Sequence, residues 1–416
     1  MNIHLIAIGG SAMHNLALAL HLKGYVITGS DDQIFEPSKS RLAKHKLLPK
    51  KIGWNPNSIS KKIDAVIVGM HAKKDNPELL KAKTLNLNIF SYPEYIYEQS
   101  KKKKRVVIGG SHGKTSITAM ILHVLQNLKI DCDYMVGAQL KGFDVMVKLT
   151  DDAPIIILEG DEYLSSPIDR RPKFHLYQPH IGVLSGIAWD HINVFPTFEN
   201  YIDQFRIFKK MITESLIYCE EDKELRDLAK EQGDCKMISY STPEYKIEDG
   251  ISIINNTPLK IFGDHNLQNL NAAMLVCKEL GVKENNFYKQ IKSFSGASNR
   301  LELITQTNNS AIYKDFAHSP SKLKATINAV KSQFQNRQLV ACMELHTFSS
   351  LNAKFLQQYS GCMDESDIAI VFFSKEAILH KGLTPITEEQ IKSSFNKENL
   401  LVFSDCEKLK IHLQSI

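Results

Sequence analysis

Arg105-Val-Val-Ile-Gly-Gly-Ser-His-Gly-Lys-Thr-Ser-Ile-Thr118 is the stretch around which the rest of this sequence is organised. An apolar run typical of a β-strand breaks into glycines and then meets Gly113-Lys114-Thr115 at the start of a helical pattern. Backbone N–H groups and the positive end of the helix would hold phosphate oxygens, Lys114 would reach the outer phosphates, and the Thr115 hydroxyl would lie on Mg²⁺. The stretch therefore predicts a nucleotide-phosphate loop, although the first glycine of G-x-x-x-x-G-K-[ST] would fall at Ile108. A helix cap with an incidental Gly-Lys-Thr is the alternative.

Length and composition indicate an ordinary globular protein of several domains. The chain has 416 residues, and single cores seldom grow beyond about 250–300 residues, so two or three domains are expected. A formal net charge of +5 gives no indication of nucleic-acid binding. Seven cysteines without a C-x-x-C pair argue against a zinc site or disulfide framework and favour a reducing compartment. Neither a signal peptide nor a membrane-spanning run is recognisable, so a cytoplasmic location without membrane insertion is expected.

The first hundred residues have the pattern of a Rossmann-like β-α-β start. A strand at 3–8 leads into Gly9-Gly10-Ser11-Ala12-Met13, and a second strand at 25–28 ends at Gly29-Ser30-Asp31. Ser11 and His14 replace two glycines of G-x-G-x-x-G, which weakens the case for NAD but favours another nucleotide-type ligand. A turn that serves only packing and a dehydrogenase domain are the alternatives.

A third strand at 64–69 places His71 at the carboxyl end of the predicted sheet. Ligands bind at this end of the sheet in open α/β folds, although a lone histidine there is more often structural.

The basic run Lys101–Arg105 has no interleaved aromatic residues. We therefore interpret it as a solvated junction between domains and not as a nucleic-acid patch.

The next two predicted strands are followed by candidate metal ligands. Strand 154–158 leads into Glu159-Gly160-Asp161-Glu162, and strand 181–184 is followed by Asp190-His191. Carboxylate and imidazole groups beside a phosphate loop can supplement the oxygens of nucleotide phosphates around Mg²⁺. Residues 198–262 are predicted to carry no chemistry.

A predicted helix after Gly263 and a third β/α series complete the chain. Asn266 and Asn269 lie three apart on one helix face and offer the donor and acceptor pair that an adenine edge requires, although an asparagine-rich N-cap is an alternative. A hinge at 293–300 is followed by a strand at 311–314, after which Asp315 and His318 would lie at the carboxyl end of a doubly wound sheet.

Taken in order, these motifs resemble those of the Mur ligase family, ATP-dependent amide-bond-forming enzymes of peptidoglycan metabolism and cell-wall biogenesis. The resemblance covers nearly the whole chain, and the short G-[ST]-x-G-K-T loop of the family matches Gly110–Thr115. It implies an α/β fold of three domains: a Rossmann-like UDP-sugar-binding domain at 1–100, a P-loop-type ATP-binding domain at 101–297 and a Rossmann-like domain for the peptide or amine acceptor at 298–416. The chain stops before the final strand–helix unit of the family, so the third domain is expected to be truncated.

The resemblance also implies roles for individual residues. The UDP-sugar would be bound by Gly9, Gly10, Ser11, Ala12, Met13, Ser30, Asp31 and His71. ATP would be bound by Gly110, Ser111, His112, Gly113, Lys114 and Thr115, with Asn266 and Asn269 at adenine, Asp315 at ribose, and Arg300 and His318 at the phosphates. Magnesium would be held by Thr115, Glu159 and His191, and the catalytic residues would be Lys114, Glu159 and His191.

The implied reaction begins when the carboxylate of UDP-N-acetylmuramate attacks the γ-phosphorus of ATP to form an acyl phosphate, which an amine then attacks. Asp161-Glu-Tyr163 and Phe316-Ala-His318 are similar to the members that attach L-Ala-γ-D-Glu-meso-diaminopimelate in peptidoglycan recycling. The members that attach L-alanine would show Asp-Glu-Ser and Tyr-Gly-His-His, and they are the alternative. A non-catalytic nucleotide-binding relative is a second alternative. Such enzymes are expected to be monomers or homodimers.

Overall fold

The structure is a computed structural model that describes residues 1–140, 142–143, 145–189, 194–297 and 300–416. The chain divides into two compact units, and each is described by itself. The first comprises Met1–Ser241 and Asn269–Ile291, and the second comprises Thr242–Gln268 and Lys292–Ile416. Within the described ranges, no helix is both long and apolar enough to cross a bilayer.

The first unit begins with a parallel four-stranded sheet in the order β2-β1-β3-β4. Its elements are β1 (Asn2–Ile6), α1 (Ser11–Leu22), β2 (Val26–Ser30), α2 (Ser38–Lys44), β3 (Ala65–Val68), α3 (Pro77–Thr84), β4 (Ile89–Ser91) and α4 (Tyr92–Ser100). Strand β1 ends two residues earlier than predicted because Ala7 has a φ of 68° and turns the chain into the glycine loop. The Rossmann-like pattern of the sequence is confirmed here.

A seven-stranded sheet in the order β11-β10-β9-β5-β8-β6-β7 forms the rest of the first unit. Its elements are β5 (Lys104–Gly109), α5 (Lys114–Asn127), β6 (Asp133–Met135), β7 (Val147–Lys148), β8 (Ile155–Glu159), β9 (Ile181–Leu184), α6 (Phe198–Lys210), β10 (Ser215–Cys219), α7 (Lys223–Lys230) and β11 (Lys236–Tyr240). Apart from the antiparallel β6–β7 pair, its neighbouring strands are parallel. Because β5 lies between β8 and β9, the loops after these three strands meet at one edge of the sheet.

The basic run Lys101–Arg105 is only partly solvated, contrary to the sequence interpretation: Lys101 and Lys102 are exposed, but two later cations are buried. Lys103 is only 5% exposed, and its ammonium donates to the carbonyls of Thr150 and Ala153 and pairs with Asp133 at 2.9 Å. Arg105 is also buried and donates to main-chain carbonyls, among them that of Gln178. These two cations are therefore structural, because buried charges must be paired and fully hydrogen-bonded.

The remaining elements follow Ser241, and the boundary between the two units falls within α8. They are β12 (Lys246–Glu248), β13 (Ile251–Ile254), β14 (Thr257–Leu259), α8 (Asp264–Glu279), α9 (Glu284–Ile291), β15 (Glu302–Gln306), β16 (Ala311–Lys314), α10 (Pro320–Gln333), β17 (Val340–Leu345), α11 (Ala353–Leu356), β18 (Ile368–Phe373), α12 (Lys375–His380), α13 (Glu388–Phe395), β19 (Leu401–Phe403) and α14 (Cys406–Ser415). Strands β17, β18 and β19 form a parallel sheet, as the predicted Rossmann-like third domain requires.

One strand of the predicted third domain is placed differently. Strand β16 pairs antiparallel with β15, in a hairpin separate from the parallel sheet. Residues of β16 alternate between partly buried and exposed, and Ile312 is 57% exposed. This pattern is typical of an antiparallel strand and not of a parallel strand covered on both faces. Asp315 and His318 therefore follow a hairpin and not a strand of the parallel sheet.

Candidate functional site

The predicted phosphate loop connects the central strand β5 to α5. Gly110 and Gly113 have φ values of 119° and 76°, in the left-handed region that L side chains rarely adopt. A Cβ on Gly113 would also overlap the amide of Asn269, and one on Gly110 would overlap Ser185. Both positions therefore require glycine, and the loop leads into the N-terminus of α5, the end of a helix at which phosphate groups bind.

Hydrogen bonds tie this loop to the segment after β9. The backbone N–H of Ser111 donates to the carbonyl of Gly186 over 2.9 Å, and the Ser111 hydroxyl accepts from the N–H of Ala188 over 2.9 Å. Ser185 Oγ donates to the carbonyl of Gly109 over 3.2 Å. Three hydrogen bonds thus hold the loop against the segment that follows the neighbouring strand β9.

The Lys114 ammonium is held by two acceptors. It donates to the carbonyl of Gly110 over 2.6 Å and to Glu162 Oε2 over 2.8 Å. Burial by itself would lower the pKa of Lys114, but the carboxylates of Glu162 and Asp161 outweigh that effect and raise it. Lys114 therefore carries its charge at the mouth of the loop, where a phosphate oxygen can meet it.

Thr115 and Glu159 are brought together as the sequence predicted. Thr115 Oγ1 donates to Glu159 Oε1 over 2.8 Å, and Glu159 Oε2 accepts from the N–H of Gly137 over 2.7 Å. Burial, together with the charge of Asp161, raises the pKa of Glu159. A hydroxyl and a buried carboxylate are oxygen donors of the kind that Mg²⁺ prefers, and a cation would offset the cost of burying this charge. These two residues therefore fit a magnesium ion.

The third predicted metal ligand, His191, lies outside the described residues, as does Asp190. Among the residues that the structure does describe, no group of three or more His, Cys, Asp or Glu side chains is arranged to hold a metal. Magnesium at Thr115 and Glu159 would therefore need further ligands, and phosphate oxygens of a nucleotide can supply them.

Tyr201, on α6, belongs to this site although the sequence predicted no chemistry for its segment. Its side chain is fully buried, and its hydroxyl lies 2.9 Å from Ser111 Oγ and 3.1 Å from Glu162 Oε1. No motif marks this tyrosine, since it falls on the buried face of α6 with Ile202 and Phe205. Only the fold brings it to the phosphate loop.

The predicted adenine, ribose and phosphate contacts are divided between the two units. Asn269 lies in the first unit beside Gly113, and Asn266 in the second unit donates to the carbonyl of Phe262 over 3.0 Å. Asp315 accepts from the N–H of Leu301 over 2.7 Å, and burial raises its pKa. The rings of Phe316 and His318 are 4.8 Å apart, and the Arg300 guanidinium lies 5.4 Å from the Phe316 ring. Arg300 and His318 thus lie against a shared aromatic neighbour.

The predicted UDP-sugar residues surround a cleft of about 460 Å³ at the carboxyl end of the first sheet. Four of them line it: Gly9, Gly10, Ser11 and His71. Sequence reasoning missed seven other lining residues, mostly from the loop after β2: His14, Asp32, Gln33, Phe35, Glu36, Pro37 and Ser38. Six of them follow Asp31 closely in the sequence, and His14 follows the glycine loop; these positions were the signal that could have identified them. Of the remaining predicted residues, Ala12 is exposed, whereas Met13 and Ser30 are buried, and Ser30 donates to Glu78.

Asp31 contacts two of the residues that line this cleft, Gly9 and His71. It is fully buried, and its Oδ2 accepts from the N–H of Gly9 over 2.7 Å and lies 3.5 Å from His71 Nε2. The hydrogen bond and charge of Asp31 raise the pKa of His71 despite partial burial. Burial would raise the pKa of Asp31, but the hydrogen bonds from His71 and Gly9 lower it. Asp31 thus favours the imidazolium form of His71 beside the glycine loop.

Family models match the first two thirds of the chain, and known proteins match nearly all of it. The model described as "Mur ligase family, catalytic domain" matches residues 2–104, and "Mur ligase middle domain" matches residues 108–277. The UDP-N-acetylmuramate–L-alanine ligase of Caldicellulosiruptor bescii is 30% identical over 409 residues, which are 93% of this chain and 86% of that protein. The enzyme of the same name from Clostridium tetani is 27% identical over 93% of this chain and 84% of its own length.

Solved structures confirm the predicted three-domain α/β fold. The UDP-N-acetylmuramate-alanine ligase of Thermotoga maritima has a TM-score of 0.72 at 19% identity, covering 99% of this chain and 92% of its own. A murein peptide ligase of Psychrobacter arcticus has a TM-score of 0.67 at 21% identity, with the same coverage of both chains. The chain therefore belongs to the Mur ligase family, whose members are ATP-dependent amide-bond-forming ligases.

Proposed function

We propose that this protein uses ATP to join the carboxylate of UDP-N-acetylmuramate to an amine, and that L-alanine is the amine it prefers. The observation that carries the ligase proposal is the glycine loop that places Lys114 beside the Thr115–Glu159 pair, at the carboxyl ends of adjacent strands. The preference for alanine rests on the relatives, which carry that substrate in their names.

The loop residues would bind and orient the phosphates of ATP. Backbone N–H groups of the loop would face the phosphate oxygens. The Lys114 ammonium lies 2.6 Å from the Gly110 carbonyl, and it would replace one of its present hydrogen bonds with a bond to a phosphate oxygen. The muramate carboxylate would then attack the γ-phosphorus, and the amine would attack the resulting acyl phosphate. Preorganised positive charge of this kind lowers the barrier by about 3–4 kcal/mol per donor.

Thr115 and Glu159 would hold magnesium in this arrangement. Bound magnesium neutralises charge that develops on the transferred phosphoryl group. The protein itself orients these two groups by hydrogen bonds. The Thr115 hydroxyl is oriented by its 2.8 Å bond to one oxygen of Glu159, and the other oxygen of Glu159 is oriented by the N–H of Gly137. His191 would be the third protein ligand of the magnesium ion, as the family resemblance implies.

The cleft of the first sheet would bind the UDP-sugar. The glycines of the loop and His71 face it, and the raised pKa of His71 favours the charged imidazolium beside a diphosphate. Asp31 would act from below, because its carboxylate is engaged by Gly9 and His71. The boundaries 1–100, 101–297 and 298–416 remain our proposal for how these functions divide along the chain.

The tripeptide L-Ala-γ-D-Glu-meso-diaminopimelate, which the sequence motifs favoured, is the second candidate acceptor. Asp161-Glu-Tyr163 and Phe316-Ala-His318 carry this resemblance, and in the structure Asp161 forms an ion pair of 2.9 Å with Lys173. The names of the relatives favour alanine over the peptide.

The test is phosphate release from ATP by the purified protein with UDP-N-acetylmuramate and either L-alanine or the tripeptide. We expect release that requires all three substrates, with a higher kcat/KM for alanine. A higher value for the tripeptide would reverse the acceptor assignment. Absence of release with both acceptors would favour a non-catalytic relative, and binding of NAD to the first domain in place of the UDP-sugar would contradict the site assignment.

A further inference from the structure

A chain of polar groups leads from the segment after β9 to the lysine of the phosphate loop. The Ala188 N–H donates to Ser111 Oγ over 2.9 Å, and Ser111 Oγ lies 2.9 Å from the Tyr201 hydroxyl. That hydroxyl donates to Glu162 Oε1 over 3.1 Å, and Glu162 Oε2 lies 2.8 Å from the Lys114 ammonium. Each of the three side chains between Ala188 and Lys114 is at most 5% exposed.

The direction of the hydrogen bonds in this chain follows from the charge of Glu162. An ionised carboxylate only accepts hydrogen bonds, so the hydroxyl proton of Tyr201 is donated to Glu162. The Tyr201 oxygen can then only accept from Ser111, whose own oxygen accepts from Ala188. Every hydroxyl in the chain therefore donates once toward the carboxylate, an arrangement in which neighbouring bonds strengthen one another.

We propose that Tyr201 is a positioning residue for nucleotide binding: its hydroxyl orients Glu162, and Glu162 holds the Lys114 ammonium over the phosphate loop. The inference rests on the proposed function in taking ATP as the ligand of that loop. Tyr201 would not touch ATP itself, because Glu162 stands between it and Lys114.

Removal of the Tyr201 hydroxyl has a definite direction. Glu162 Oε1 would lose a buried hydrogen-bond donor, and the ion pair between the carboxylate and Lys114 would become stronger. The interaction of the Lys114 ammonium with a phosphate would then be weaker. The aromatic ring would keep its place, because its contacts with Phe205 and Phe195, at centroid distances of 5.1 Å and 5.4 Å, do not involve the hydroxyl. Tyr201→Phe therefore removes the hydrogen bonds of the hydroxyl to Ser111 and Glu162 and leaves the ring packing intact, and the Glu162→Gln background separates the bond to Glu162 from the bond to Ser111.

A double-mutant cycle on the full chain tests the proposal, with ATP affinity measured by equilibrium titration. We expect Tyr201→Phe to weaken ATP binding about tenfold when Glu162 is present, the size of effect typical of a hydrogen bond to a charged group. In the Glu162→Gln background the same substitution should change affinity less than about twofold, because the acceptor charge is gone. Tyr240→Phe is the matched control, since that buried hydroxyl has no hydrogen-bond partner within the described part of the chain.

The outcomes separate this proposal from the function it depends on. If the unsubstituted protein binds ATP and Tyr201→Phe binds it equally well, or weakens binding to the same extent in both backgrounds, the positioning role is overturned. If the unsubstituted protein does not bind ATP, the proposed function is overturned together with this inference. Should Tyr201→Phe lower the melting temperature too far for titration, Ser111→Ala is compared in the same two backgrounds, and its effect must also depend on Glu162.

Discussion

The hydroxyl of Thr115 donates to a carboxylate oxygen of Glu159 over 2.8 Å, which joins the helix of the phosphate loop to the neighbouring strand. A carboxylate in this position, with a pKa raised by burial, is stabilised by a cation. We expect Glu159→Gln to reduce ATP turnover about 10²- to 10³-fold, as expected when one preorganised electrostatic group is lost. Phosphate release over a series of Mg²⁺ concentrations measures this, with the exposed Asp227→Asn as control; an unchanged Mg²⁺ dependence would contradict the assignment.

Lys114 and Glu162 form a buried ion pair, so replacement of either partner has two effects. Lys114→Ala should abolish phosphate release and leave UDP-sugar binding intact. It should also lower the free energy of unfolding by about 3–5 kcal/mol, because the buried carboxylate of Glu162 loses the opposite charge of Lys114. Denaturant titration and UDP-sugar binding of the same sample separate the two effects. Turnover retained in Lys114→Ala would contradict the proposed role of the loop.

His71 should make UDP-sugar binding dependent on pH. Its pKa is raised by Asp31 above the ordinary value of about 6.5, so the imidazolium persists to higher pH. Affinity for the diphosphate should be full below that ordinary value and fall as pH rises through the raised pKa. Titrations of the UDP-sugar across this range should show the decline in the native protein and not in His71→Gln, whereas His45→Gln, outside the cleft, should behave as the native protein does.

Lys103 should contribute to stability and Lys102 should not, although they are adjacent in one basic run. Lys103 pairs with the fully buried Asp133 and donates to two carbonyls, whereas Lys102 is exposed. We expect Lys103→Ala to lower the free energy of unfolding by about 3–5 kcal/mol and Lys102→Ala to change it by less than about 0.5 kcal/mol. Urea denaturation of both variants decides the point, and equal effects would mean that Lys103 is solvated after all.

The glycine loop after β5 and the proximity of Thr115 and Glu159 could be predicted because they depend on local rules. A strand followed by glycines and a helix start predicts the loop, and in a parallel sheet the carboxyl ends of adjacent strands share an edge. Thr115 and Glu159 therefore meet although 44 residues separate them. The same rules could not identify Tyr201, 90 residues from Ser111, because its position resembles any buried helical aromatic.

What the sequence alone determined was the order of the motifs, the α/β class and the glycine loop between β5 and α5, since these follow from periodicity and from glycine's conformational freedom. Tertiary structure decided which polar groups are partners. It buried Lys103 against Asp133, set Asp31 beneath the glycine loop, and turned β16 into a hairpin. It also brought the Tyr201 hydroxyl to Glu162. The physical reason is that a buried polar group must find a partner in space, and the distance along the chain does not specify which one that is.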